Sequence, residues 1–276
     1  MIGQAAIGRA AIGQAAIGQD SAVDLGLAGR VYVVSGGSRG LGRATAEALV
    51  AEGARVVVGA RDEAAVERAA QELGGRAHAV GVTADLGRAA AAQRLVEAAH
   101  TAYGGLDGAL VSVGGPPPGS VLETEEDAWR TAFESVFLGA LRLTRHVAGA
   151  LGGDGGSIAL VLSSSVRTPI PGLAVSNGLR PGLAGLVKTL ANELGPRAIR
   201  VNGLLPGRIA TDRTIEIDRA GGDPDGVARR AAARIPLGRY GEPAEFGRVA
   251  AFVLSPAASY MTGSMVTVDG GMVPTW

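Results

Sequence analysis

The turn Ser35-Gly36-Gly37-Ser38-Arg39-Gly40-Leu41-Gly42 holds the residue types and spacing most suited to chemistry. It follows the apolar run 31–34 and opens onto an alanine-rich stretch of helical period. Gly36 permits a tight exit from a strand, while Gly40 and Gly42 permit close backbone approach where a helix begins. Unpaired N–H groups at a helix N-terminus, aided by the helix dipole, hold phosphate oxygens. Arg39 within the turn and Arg61 further on add two guanidiniums whose fork geometry suits another phosphate. Metal chemistry has no comparable signal. His78, His100 and His146 are scattered without ligand spacing, and cysteine is absent, which excludes disulfides and thiolate nucleophiles.

Such a turn acts only if the chain builds a strand before it and a helix after it. Short, mostly β-branched runs at 31–35, 55–59, 77–83, 109–113, 158–163, 199–204 and 265–268 are predicted strands. Helical periodicity covers 42–52, 63–73, 89–103, 125–150, 181–194 and 244–254. Strands alternating with helices imply right-handed βαβ units and a parallel sheet. The strands are almost wholly apolar, as helices on both faces would require. The expected class is α/β: a single-domain, Rossmann-type, doubly wound parallel sheet of about seven strands. Residues 1–20 repeat Ile-Gly-Gln-Ala-Ala with a five-residue period that matches neither helix nor strand. They read as a low-complexity extension ahead of one domain over 21–276.

Bulk composition narrows the function. Lys plus Arg number 26 and Asp plus Glu 26, so no basic footprint marks a nucleic-acid partner. Hydrophobic residues make up 47% and charged residues 19%, a globular balance. No apolar run approaches the roughly 18 residues of a membrane helix, so no membrane partner is expected. Glycines and glutamines interrupt the N-terminus too often for a signal peptide. The lack of cysteine fits a reducing cytoplasm.

In its strand–turn–helix context the glycine turn reads as a dinucleotide site. An NAD site usually carries an acid at the end of the second strand to bind the ribose hydroxyls. That place falls on Gly59 or Ala60, with Arg61 next. Arg39 and Arg61 can instead pair with a 2′-phosphate, so the expected cofactor is NADP(H). Asp62 is the expected cap of the following helix.

Three residues separate Gly36 from Gly40, and one more precedes Gly42. This spacing resembles the T-G-x-x-x-G-x-G turn of the short-chain dehydrogenase/reductase family, with Ser35 in the threonine place. The resemblance runs from Leu27 to Gly271. It includes Asp85 with Leu86, Leu106-Asp107, Gly114, Arg200-Val201-Asn202, Pro206-Gly207, Thr211, Gly263 and Val268-Asp269-Gly270-Gly271. Within the family the chain looks most like the 3-oxoacyl-acyl carrier protein reductases. The resemblance implies cofactor contacts from Ser35 to Gly42 and from Arg61, Asp85, Leu86, Gly114, Pro206, Gly207 and Thr211. Asp85 would meet the adenine amino group and Thr211 the nicotinamide carboxamide. It also implies a mobile lid over 212–236, a small carbonyl or alcohol substrate, and assembly as a homotetramer or homodimer.

At the catalytic corner the resemblance breaks. Family members use a tyrosine as proton donor, a lysine beside it, an orienting serine and an upstream asparagine. Counting back from Gly185-Leu186-Val187-Lys188 puts Ser176 in the tyrosine place and Arg180 in the lysine place. Ser163 matches the serine, with Ser164 as an alternative one position on. The long helix has Val136 where the asparagine would stand, and Val111-Ser112 replace two further asparagines. Arg180 is also an expected cofactor contact, through the ribose. A serine hydroxyl is a far weaker acid than a phenol, and an arginine stays charged. Three readings stay open: a reductase with a rearranged site in which Arg180 polarises the carbonyl, an NADP(H)-binding protein without hydride transfer, and an enzyme of another class that uses the bound cofactor differently. Tyr240, beside the lid, is the best-placed alternative phenol; Tyr103 and Tyr260 are weaker ones, and Tyr32 is expected in the core.

Overall fold

A computed structural model describes residues 24–219 and 224–275; the extension expected over 1–20 lies outside them. Seven strands form one parallel sheet: β1 (Val31–Ser35), β2 (Arg55–Ala60), β3 (Ala79–Thr83), β4 (Gly108–Val111), β5 (Gly156–Val161), β6 (Ile199–Pro206) and β7 (Met265–Val268). Their order is β3-β2-β1-β4-β5-β6-β7. The order reverses between β1 and β4, so a crevice opens at their carboxyl ends, where doubly wound sheets take ligands.

The helices are α1 (Gly40–Ala51), α2 (Glu63–Glu72), α3 (Ala90–Tyr103), α4 (Glu126–Ala132), α5 (Gly139–Ala150), α6 (Ala174–Leu194), α7 (Asp212–Arg219), α8 (Pro224–Ala232) and α9 (Pro243–Leu254). Strand residues alternate between the two faces. Tyr32 and Val34 pack with Leu49, Val66 and Phe246 of α1, α2 and α9. Val31 and Val33 pack with Leu95, Leu143 and Leu183 of α3, α5 and α6. Each such burial contributes about 1.5–3 kcal/mol. Tyr32 is in the core as expected, and burial pushes its phenol up to about 12.

Several boundaries differ from expectation, each for a physical reason. β3 starts at Ala79 because Gly74 and Gly75, both left-handed, lead into a 3-10 turn at Gly75–Ala77. β4 stops at Val111 because Ser112 turns its N–H to the Ser35 hydroxyl. β5 ends at Val161, so Ser163 stands two residues beyond the strand rather than at its end. The helix expected from Pro181 begins at Ala174 and carries Pro181 inside it. The single helix expected over 125–150 contains a π-helical segment, Phe133–Leu138, between α4 and α5. Within the expected lid, α7 and α8 form two short helices.

Candidate active site

The glycine turn joins β1 to α1. Gly36 and Gly40 are left-handed, with φ of +62° and +57°, which L side chains rarely adopt. A Cβ on Gly42 would lie 2.3 Å from the Gly36 carbonyl oxygen, so no larger residue fits without moving the turn. Ser35 fixes the crevice wall. Its hydroxyl donates to Ser112 O at 2.9 Å and accepts from Ser112 N–H at 2.9 Å, linking the ends of β1 and β4. Gly114, two residues further, is exposed, with open space where its Cβ would be.

Around this turn lie the other expected cofactor positions. Arg39 and Arg61 are both exposed, and neither forms an ion pair with a carboxylate among the described residues. Ser38 and Leu41 are half-buried in the turn. Asp62 caps α2, as expected, by accepting from Ala65 N–H at 2.8 Å. Past β3, Asp85 accepts from Gly87 N–H at 3.0 Å, and Leu86 packs against the core. Pro206 ends β6, and the Gly207 N–H donates to Val268 O at 3.0 Å. Thr211 sits over the glycine turn, its methyl 3.6 Å from the Cβ position of Gly40. Its hydroxyl also accepts from Thr214 N–H at the start of α7.

The catalytic corner is built by β5 and α6. Arg180 is buried, and its Nη1 donates to Val161 O at 2.9 Å. That carbonyl closes β5, two residues before Ser163. Ser163 is half-buried and caps the 3-10 turn Ser164–Val166, accepting from Ser165 N–H at 3.1 Å. Ser164, its alternative, is buried. Ser176 stands one helical turn before Arg180 on the same inward face of α6, and both are buried there. Its hydroxyl bonds to no described residue. The structure therefore sets Arg180 against the carboxyl end of β5, with Ser163 two residues beyond its anchor and Ser176 one helical turn before it. Burial pushes the Arg180 guanidinium down to about 10, and the charge of Arg213 acts in the same direction.

The four tyrosines are engaged or exposed away from Arg180, Tyr32 in the core. Tyr240 donates to Asp218 at 2.9 Å and receives Arg208 Nη1 at 3.4 Å, which fixes it against α7. Burial and the Asp218 bond raise its pKa further from neutrality. Tyr103 bonds Arg76 O under the Arg55 guanidinium, and Tyr260 is fully exposed. Val136 lies buried inside the π-helical segment, where it offers no polar group. Arg200 and Asn202, both within a matched motif, are structural. Arg200 donates to four carbonyls between Val253 and Met261, and Asn202 ties Met261 and Ser264 to β6.

Two residues escaped sequence reasoning. Asn177 pins the loop before α6, its side chain accepting from Ile170 N–H at 3.1 Å and donating to Ile170 O at 2.8 Å. Arg213 reaches from α7 to donate to Pro116 O at 2.8 Å in the loop after β4. Its sequence signal, one charge in a charged segment, did not separate it from its neighbours. Among the described residues no group of His, Cys, Asp or Glu could hold a metal ion, and no helix is long and apolar enough to cross a membrane.

This architecture, a doubly wound sheet with a glycine turn at its switch point, is that of the Rossmann-type nucleotide-binding folds. The family described as enoyl-(acyl carrier protein) reductase matches residues 36–273. An uncharacterized oxidoreductase of Methylorubrum extorquens is 37% identical over 89% of this chain and 98% of its own. Dehydrogenase/reductase SDR family member 4 of Homo sapiens is 35% identical over 89% of this chain and 88% of its own. The crystal structure of L-sorbose reductase from Gluconobacter frateurii, complexed with NADPH and L-sorbose, superposes with a TM-score of 0.87. It is 30% identical and covers 92% of this chain and 100% of its own. The chain belongs to the short-chain dehydrogenase/reductase family and is an oxidoreductase of that family.

Proposed function

We propose that the chain is an NADP(H)-dependent reductase of a small carbonyl compound, or a dehydrogenase of the matching alcohol, in which Arg180 does the electrostatic work of the missing tyrosine and lysine. The observation that carries this reading is the Arg180 guanidinium, buried and anchored on Val161 O, two residues before Ser163. In this reading residues 21–276 act as one cofactor-binding unit. The glycine turn and the start of α1 hold the pyrophosphate, and Arg39 and Arg61 pair with the 2′-phosphate. Asp85 and Leu86 flank the adenine, while Gly114, Pro206, Gly207 and Thr211 line the nicotinamide half.

The bound cofactor would supply a hydride to the carbonyl carbon. Negative charge then develops on the carbonyl oxygen, and a buried cation placed there in advance stabilises it strongly. Arg180 meets that oxygen, and the Ser163 and Ser176 hydroxyls donate to it and fix its direction. Ser163 already accepts a bond from Ser165 N–H, which leaves its own proton free to point at the substrate. Water supplies the final proton, because Arg180 stays charged at neutral pH and a serine is too weak an acid.

The test incubates the protein with NADPH and a panel of ketones and 3-oxoacyl thioesters while nicotinamide absorbance is followed. Turnover with NADPH, and much less with NADH, is the expected result. Tight NADPH binding without turnover across the panel would contradict it.

A further inference from the structure

Arg213 differs from the other arginines of 212–236 in what it touches. On either side of that segment Arg208 binds Asp218, and Arg239 binds Glu245 in a fork at 2.7 and 2.8 Å. Arg213 has no carboxylate within ion-pair distance among the described residues. Instead it leaves the α7 surface and folds onto the loop after β4, 2.8 Å from Pro116 O and against Gly115. Arg180 lies behind the end of the next strand, β5, without an acidic partner either. The two cations thus occupy the carboxyl ends of adjacent strands. Arg180 is buried at the floor of the corner, and Arg213 is exposed at its rim.

Their proximity shows in a second way. The Arg213 charge is felt at Arg180, where it disfavours the protonated form after burial itself. Two like charges in a partly buried corner, neither with an ion-pair partner among the described residues, destabilise the empty protein. An anionic ligand group would relieve both.

Resting on the reductase reading above, we infer that the substrate is an oxo acid: Arg213 receives its carboxylate at the rim while Arg180 holds its carbonyl oxygen at the floor. The planar guanidinium of Arg213 can take the carboxylate through two parallel N–H bonds, and a neutral ketone forfeits them. Its exposure at the mouth also favours capture of anions from solution. Arg213 is in this sense a specificity-determining residue. The same guanidinium chemistry could serve the cofactor pyrophosphate, so the test separates the two anions.

The probes are 2-oxobutanoate, 2-oxohexanoate and 4-oxopentanoate, each beside its neutral methyl ester. The acids are expected to exceed their esters in kcat/KM by about tenfold or more. Arg213→Gln should lower kcat/KM at least tenfold further on the acids than on the esters, with NADPH affinity changed less than threefold. Equal use of acids and esters, or a loss of NADPH affinity matching the loss of acid turnover, overturns the inference. A binding arm needs no turnover: with NADPH present, the acids should raise the Tm of the unaltered protein and not that of Arg213→Gln. Protection without turnover would refute the reductase reading and leave the anion site standing. Turnover of esters without any protection by acids would do the reverse.

Discussion

The glycine turn and the catalytic corner lie at the same edge of one sheet, yet they depend on different parts of the chain. In the turn the backbone itself is the device: two left-handed glycines and one glycine too close to a carbonyl for any side chain. At the corner the backbone only delivers side chains, through the inward face of α6 and the 3-10 turn after β5. A backbone device tolerates few residue types. A scaffold that presents side chains can keep its shape while the chemistry at its tip changes. Here that scaffold presents a buried arginine, Arg180, and a buried serine, Ser176, one helical turn apart on α6.

The comparison breaks most sharply at Arg180. Arg180→Met should lower kcat/KM by about a hundred- to a thousandfold, the usual effect of removing a donor to a developing oxyanion. The same substitution should raise the Tm of the empty protein, because it removes a buried charge that has no acidic partner among the described residues. Activity and stability moving in opposite directions would separate a functional charge from a packing one; a fall in both would make Arg180 structural. Next in size is the double variant Arg39→Gln/Arg61→Gln. Losing two charge-assisted contacts should weaken NADPH binding by about a hundredfold and leave NADH binding nearly unaltered, as read by fluorescence titration. Parallel losses for both cofactors would remove these arginines from the 2′-phosphate.

Smaller effects sharpen the other side. Gly42→Ala forces a Cβ into the Gly36 carbonyl and should destabilise by about 1–3 kcal/mol in urea unfolding, with weaker NADPH binding. The smallest effect concerns pH. Arg180 is pushed down to about 10 in the folded chain, well below the ordinary guanidinium range. Below about 10 it is charged in both the folded and unfolded states, so its burial penalty is fully present at neutral pH. As pH rises above about 10 the folded form sheds its proton before the unfolded form does, and that penalty shrinks. Titration of Arg180 should therefore impose no pH dependence on carbonyl reduction across the neutral range, and activity should fall only near pH 10, where the corner loses its charge.

How far the sequence carried follows the same division. The strands were legible because apolar residues buried on both faces leave a plain signal, as in Tyr32 to Val34. The turn was legible because its glycines are demanded by geometry. Pro181 misled the start of α6, since a proline ordinarily marks a first turn and here sits just after Arg180 inside the helix. The π-helical segment around Val136 leaves no compositional trace. Ser176 and Arg180 could be located only by counting from a framework, and Arg213 not at all, because its meaning lies in a bond to Pro116 across 97 positions of chain.

The central claim, hydride transfer at an arginine-based corner, is tested most directly by isotope. NADPH carrying deuterium at the transferable position is incubated with the unaltered protein and a carbonyl substrate, and the alcohol is analysed by mass spectrometry. Deuterium on the former carbonyl carbon is the expected result. Bound NADPH that delivers no deuterium to any substrate of the panel would contradict it.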